Sequence, residues 1–441
     1  MRFNLAQKLQ GNPVIKRILP FTVCALTLLT ACNGSDSSND LVSTDTSTTT
    51  TTSTSATTSL PVFTSWILNT SQQATHIFSS NTSSERPLIN VQSVTVQSAS
   101  DQDYVRVQAT GIPGYQITMT QSIINGLNNR PKASSDFTTG STSASVGQVV
   151  AFGEDIGYIG TRGCTSAGGG RGFWPPGPAC PLNANISALF PSVPATTSST
   201  CKVGLGAQGY WVNGVSVFAW GDGQSFNGQG TWNSLAGVAE QYDVDICGGH
   251  AQQDGEYHHH FHSQCLADLV GDTGNGHSPI YGFAADGYAI YGPYVAANVL
   301  AKSAWVARDY SNAATGFGCA VSGERSCLMV DEFDKSKGTM VTANTGPKTT
   351  DNNTTLSGNS IPATSGYYYE DYYFDSALTN TTGQTDRMDV HNGHSHDSLG
   401  YHYHVTATAA SDGSLTPAFP YHIGPTFAGV LQGNALTTCS P

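Results

Sequence analysis

The residues with the clearest chemical potential are histidines in a repeated register. Asp245-Ile246-Cys247-Gly248-Gly249-His250 is followed, after six intervening residues, by Tyr257-His258-His259-His260; Asp389-Val390-His391-Asn392-Gly393-His394 is followed at the same spacing by Tyr401-His402-Tyr403-His404. Every histidine of the chain except His76 lies between His250 and His422. Imidazole moves protons near neutral pH and binds transition metals through a neutral ring nitrogen. A Tyr-His-x-His segment suits a strand, in which residues two apart share a face. His258 with His260, and His402 with His404, therefore form pairs able to share an ion, and His250 and His394 can fold back to complete each set. These six are the first-choice ligands, making either two mononuclear sites or one dinuclear site.

The flanking residues carry further expectations. Asp245 and Asp389 either accept a ring N–H, fixing the tautomer of a ligand histidine, or cap turns. Tyr257 and Tyr401 point away from the ligand face, where packing or a buried hydrogen bond is the simpler role. His259, which the second copy lacks, is expected to be exposed. His262, His277, His391, His396 and His422 are further candidates, and His277 and His422 trail the two motifs at similar distances. Copper is the first choice of metal and zinc the second, because six imidazoles without clear carboxylate ligands suit copper, which heads the divalent affinity series. Metal-dependent oxidation or hydrolysis would need an open coordination position beside an acid or base such as Asp245, Asp389 or Glu256. A structural or adhesive module without metal is the remaining class.

The elements that position these residues read as β-structure. Alternating apolar and polar residues run from Val91 to Val96, Tyr104 to Ala109 and Tyr115 to Met119, with turn residues between them. Helical patterns are confined to Leu235–Tyr242 and Val295–Val306. Asn213-Gly214-Val215-Ser216-Val217-Phe218 is similar to Asp286-Gly287-Tyr288-Ala289-Ile290-Tyr291. Each precedes a histidine motif, which implies one unit present twice about a pseudo-two-fold axis. The second copy carries an insertion over Leu300–Ser365. The expected fold is mainly β, sandwich or barrel-like with minor helices, stapled by disulfides. Phosphate-loop, dinucleotide and serine-hydrolase motifs are missing, since Gly168-Gly169-Gly170 lacks its flanking strand and helix.

The amino-terminal segment reads as an export signal. Arg2, Lys8, Lys16 and Arg17 precede the apolar run Ile18–Leu29, which is too short to span a bilayer and leads into Leu29-Thr30-Ala31-Cys32. This resembles a bacterial lipobox. Residues 1–31 are thus expected to be a signal, with Cys32 lipidated at the outer membrane on its periplasmic or surface side. Residues 32–59, rich in Ser and Thr, form a tether, 60–200 a β-rich region and 201–441 the domain bearing the histidines. A net charge of -13 that becomes more negative once the signal is removed excludes electrostatic binding of nucleic acid. In an exported chain the remaining cysteines default to disulfides, with Cys164–Cys180, Cys247–Cys265 and Cys319–Cys327 as local pairings. Cys247 has an alternative as a thiolate ligand.

The chain resembles the YHYH proteins, named for the tetrapeptide at Tyr401–His404. The resemblance extends over roughly 204–429 and includes Gly249-His250, the stretch His277–Pro293, Asn392-Gly393-His394 and Pro420-Tyr421. It implies export and this domain, and supplies no reaction. His391, His259 and Ile423-Gly424-Pro425 depart from the family pattern. They put a family disulfide near the carboxyl terminus in doubt, a place that Cys439 could fill.

Overall fold

The computed structural model describes residues 56–440, except 77, 80–83, 160–178, 312–321, 326–327, 331–338, 342–345, 380–384 and 433–435. The signal, Cys32 and most of the tether lie outside the described residues, as do Cys164, Cys319 and Cys327. Strand (34%) outweighs helix (13%), so the chain is mainly β.

The central element is an eight-stranded sheet. Its strands are β4 (Ala207–Trp211), β5 (Ser216–Phe218), β6 (Gly249–Ala251), β7 (Tyr257–His259), β8 (Ile280–Ala284), β9 (Ala289–Tyr291), β12 (Gly393–Ser395) and β13 (Tyr401–His404). Three earlier strands, β1 (Val91–Ser98), β2 (Asp103–Ala109) and β3 (Ile186–Pro191), form a separate antiparallel sheet; β10 (Asn352–Thr354) and β11 (Ser360–Pro362) form a hairpin within the insertion. The order across the large sheet is β6-β7-β5-β4-β8-β9-β13-β12.

That order reads the same from either edge. Hairpin β4–β5 matches hairpin β8–β9, and each second strand pairs in parallel with a histidine strand: Val217 lies opposite His259, and Ile290 opposite Tyr403. The histidine strand pairs with the short strand before it, His250 opposite His258 and His394 opposite His402. At the centre β4 meets β8 antiparallel, with Tyr210 opposite Phe283, Gly209 opposite Ala284 and Trp211 opposite Gly282. Both glycines are dictated by close backbone approach. A Cβ on Gly209 would lie 2.3 Å from the Phe283 carbonyl oxygen, and one on Gly282 2.4 Å from that of Tyr210.

The hairpin turns also agree. Gly214 and Gly287 occupy the left-handed region at φ 81° and 88°, and the Asn213 and Asp286 side chains accept the amides of Val215 and Tyr288. The amino-terminal region shares one core with the sheet. Trp66 packs on Phe283 and Phe190, Phe152 meets Tyr257 edge-on, and Tyr115 stacks on His259.

Two expectations are corrected. The segment 295–306 is not helical: Tyr294 pairs with Leu300 as a hairpin, because Asn298 at φ 57° reverses the chain. His259 is fully buried, since Tyr115 covers the sheet face opposite the ligand face. The helix expected at Leu235–Tyr242 shrinks to α2 (Ala236–Ala239), the second of three named helices with α1 (Gln121–Asn128) and α3 (Gln264–Val270).

Cys247 and Cys265 form a disulfide, which removes Cys247 as a thiolate ligand; Cys201 joins Cys439. Cys180 is also disulfide-bonded, while Cys164 and the expected Cys319–Cys327 pairing lie outside the described residues.

Candidate metal centre

Each histidine strand begins with a turn built by its aspartate. Asp245 Oδ1 accepts the amides of Cys247 and Gly249, and Asp389 Oδ1 those of His391 and Gly393. Gly248 (φ 78°) and Asn392 (φ 66°) take the same left-handed position in the two turns. Tyr257 donates its hydroxyl to Asp245 at 2.8 Å, and Tyr401 donates to Asp389 at 3.0 Å. Gly249 and Gly393 leave room for those rings, for a Cβ on either would sit about 2.5 Å from the phenol oxygen. The aspartates thus hold the turns, and the ring N–H groups of the ligand histidines go elsewhere.

They go to main-chain carbonyls. His258 Nδ1 donates to the Glu256 oxygen and His402 Nδ1 to that of Gly400; His260 Nδ1 donates to Ala219 and His404 Nδ1 to Gly292. His250 Nδ1 donates to Asp243. A carbonyl can only accept, so Nδ1 carries the proton and Nε2 of the neutral ring is a lone pair. Phe218 stacks on His258 at 3.7 Å, and Tyr291, its equivalent, lies 4.6 Å from His402. Ring orientation is therefore fixed from two sides.

The Nε2 atoms converge into two groups. In one, Glu240, His250, His258 and His260 bring one ligand atom each within 4.8 Å of one another; in the other, His277, His394, His402 and His404 do the same. In the first, His258 Nε2 lies 3.1 Å from His260 Nε2, and Glu240 Oε2 lies 3.1 Å and 3.2 Å from the Nε2 atoms of His250 and His260. Two ring nitrogens at that distance need a proton or a metal ion shared between them, and the Glu240 carboxylate beside them favours either positive charge. A tetrahedral ion with bonds of about 2 Å separates its ligands by roughly 3.3 Å, which these spacings approach. In the second, the Nε2 atoms of His394, His402 and His404 are buried without a hydrogen-bond partner. Buried polar atoms of this kind call for an explanation, and an ion is one.

The electrostatics separate the two groups. Burial alone would raise Glu240, yet the imidazoles of His260 and His250 hold it well below the usual carboxylate range. Burial lowers His250, but the hydrogen bond and charge of Glu240 together with Asp243 outweigh it and raise the ring. Burial and then neighbouring imidazoles push His394 down to about 3; burial leads again for His402, at about 4, and takes His404 well below its ordinary value. These rings are neutral, metal-ready donors over the ordinary pH range.

All six first-choice ligands are thus gathered, three in each group. β7 and β13 are separated by five strand spacings across the sheet, on the order of 24 Å, so the sets do not converge on one dinuclear site. Each group has a fourth member outside the repeated register: Glu240, which the sequence did not single out, and His277, one of the five further candidates. Glu240 follows α2, and its presence corrects the expectation of ligands without a carboxylate. His277 precedes β8 yet serves the second group, because β9 delivers its hairpin beside β13. His422 instead packs on Trp211, His262 lies near Tyr281, and His391 Nδ1 meets Thr426. His396 stacks over His277 and His394 at the second group.

No curated protein and no solved structure matched the chain. Residues 187–320 match the family model described as YHYH protein, a stretch that contains the central hairpins and the first histidine motif; the chain therefore carries a YHYH domain.

Proposed function

We propose that this protein binds transition-metal ions at two separate histidine centres, with copper the first candidate and zinc the second. The observation that carries the reading is the convergence of Nε2 atoms on rings whose Nδ1 atoms are committed to main-chain carbonyls. At the second centre the buried Nε2 atoms of His394, His402 and His404 have no hydrogen-bond partner among the described residues, where a hydrogen-bonded histidine network would supply one.

The binding reading stands ahead of an oxidase or hydrolase because the acids and bases considered for catalysis are engaged. Asp245 and Asp389 hold turns, and Glu256 accepts from Ser216 and Gln252. On the lipid anchor expected at Cys32, the centres would face the periplasm or the exterior of the outer membrane.

Elemental analysis of untagged full-length protein, prepared in copper-replete and zinc-replete media, tests the reading. Stoichiometric copper or zinc that survives dialysis against a weak chelator is the expected result. Metal-free protein from both media would overturn it.

A further inference from the structure

We infer that the two centres hold ions of different charge: the Glu240 centre a divalent ion of the zinc class, and the all-imidazole centre monovalent copper. The assignment rests on the metal-binding reading above and deepens it. Three ligands of each centre come from the repeated register, so the copies are alike there. Divergence lies in the fourth ligand. In the first centre it is a carboxylate from the segment after α2; in the second it is His277, from the loop before β8.

That single difference changes the charge of the bound complex. Four neutral imidazoles leave an ion with its whole charge in a site where His402 and His404 are buried and His277 and His394 half-buried. The Born cost of burying a charge grows as its square, so an uncompensated divalent ion is penalised far more than a monovalent one. Imidazole accommodates copper, and three donors on two paired strands with a fourth from the loop before β8 can surround a filled-shell ion. Glu240 supplies one negative charge to the first centre, held near His250 and His260, and offsets half the charge of a divalent ion. Among the described residues, rings pack on the all-imidazole donors: His396 over His277 and His394, and Tyr291 beside His402 and His404.

The test uses the full-length apoprotein under anaerobic conditions with ascorbate, supplied with zinc and copper(I) together and read by elemental analysis and competitive chelators. Wild type should hold one zinc and one copper(I). Glu240→Gln should weaken zinc at least about tenfold while copper(I) affinity stays within about twofold. His277→Glu should exchange the copper(I) preference of its centre for a second zinc, a gain that a misfolded variant could not give. Two centres with the same preference, or a Glu240→Gln change felt equally by both ions, would overturn the assignment while leaving metal binding intact. Absence of both metals from wild type would overturn the assignment together with the reading beneath it.

Discussion

At the scale of single residues, the ligand histidines are positioned by what their other nitrogen does. The main-chain carbonyls of Glu256, Ala219, Gly400 and Gly292 fix tautomer and ring angle, one of the two tasks open to Asp245 and Asp389, which take the other and hold the turns. The aspartates act one step further back, shaping the turns before the strands. Tyr257→Phe removes a donor from Asp245 where both groups are buried. It should cost about 1–3 kcal/mol of stability, read as a lower urea midpoint at unchanged slope, with metal content unaltered. Loss of metal at full stability would instead assign the tyrosine to the centre. The grouping of the six candidate histidines into two sets of three was legible because strand period and spacing suffice to place them. Glu240 was not, since it lies outside the repeated register and tertiary placement alone brings it in; His277 was only one of five further histidines until the fold set it beside His394, His402 and His404. His259 misled for a related reason: exposure depends on what covers a face, here Tyr115 from far away in sequence.

At the scale of elements, the second copy's insertion supports the first copy's centre. Hairpin β10–β11 carries Ser357 and Asn359 in its turn; Ser357 Oγ and Asn359 Nδ2 both donate to the Asp243 carboxylate, and the Asp243 carbonyl accepts from His250. Ser357→Ala with Asn359→Ala should weaken metal at the Glu240 centre about tenfold and leave the other centre unchanged, as competitive titration would read. Equal weakening of both would contradict this coupling. The central pair of strands makes a sharper demand. Gly282→Ala drives a methyl into the Tyr210 carbonyl, so the sheet must open or the chain must shift. A loss of about 3 kcal/mol or more is expected in chemical denaturation, against near-neutral behaviour at the open Gly276. The strand–turn–strand units were readable from Asn213-Gly214 and Asp286-Gly287, whereas the Asn298 hairpin was hidden inside an amphipathic pattern, because one left-handed residue outweighs helical periodicity.

At the scale of the whole molecule, two devices hold the chain together around the sheet. The amino-terminal region supplies core to the strands, as Trp66 on Phe283 shows, so the regions read separately in the sequence share one interior. The disulfides close loops of 18 and 238 residues. On chain-entropy grounds these contribute about 3 and about 5 kcal/mol. Reduction should lower the melting temperature markedly, with Cys247→Ala plus Cys265→Ala loosening the first histidine turn. A melting temperature indifferent to reductant would count against this.

The account turns on two independent centres at the two ends of one sheet. Metal stoichiometry of untagged protein carrying His258→Ala with His260→Ala, and separately His402→Ala with His404→Ala, tests it most directly. Each pair should lose the metal of its own centre and keep the other. Loss of all metal from either pair would show a shared site and contradict the account.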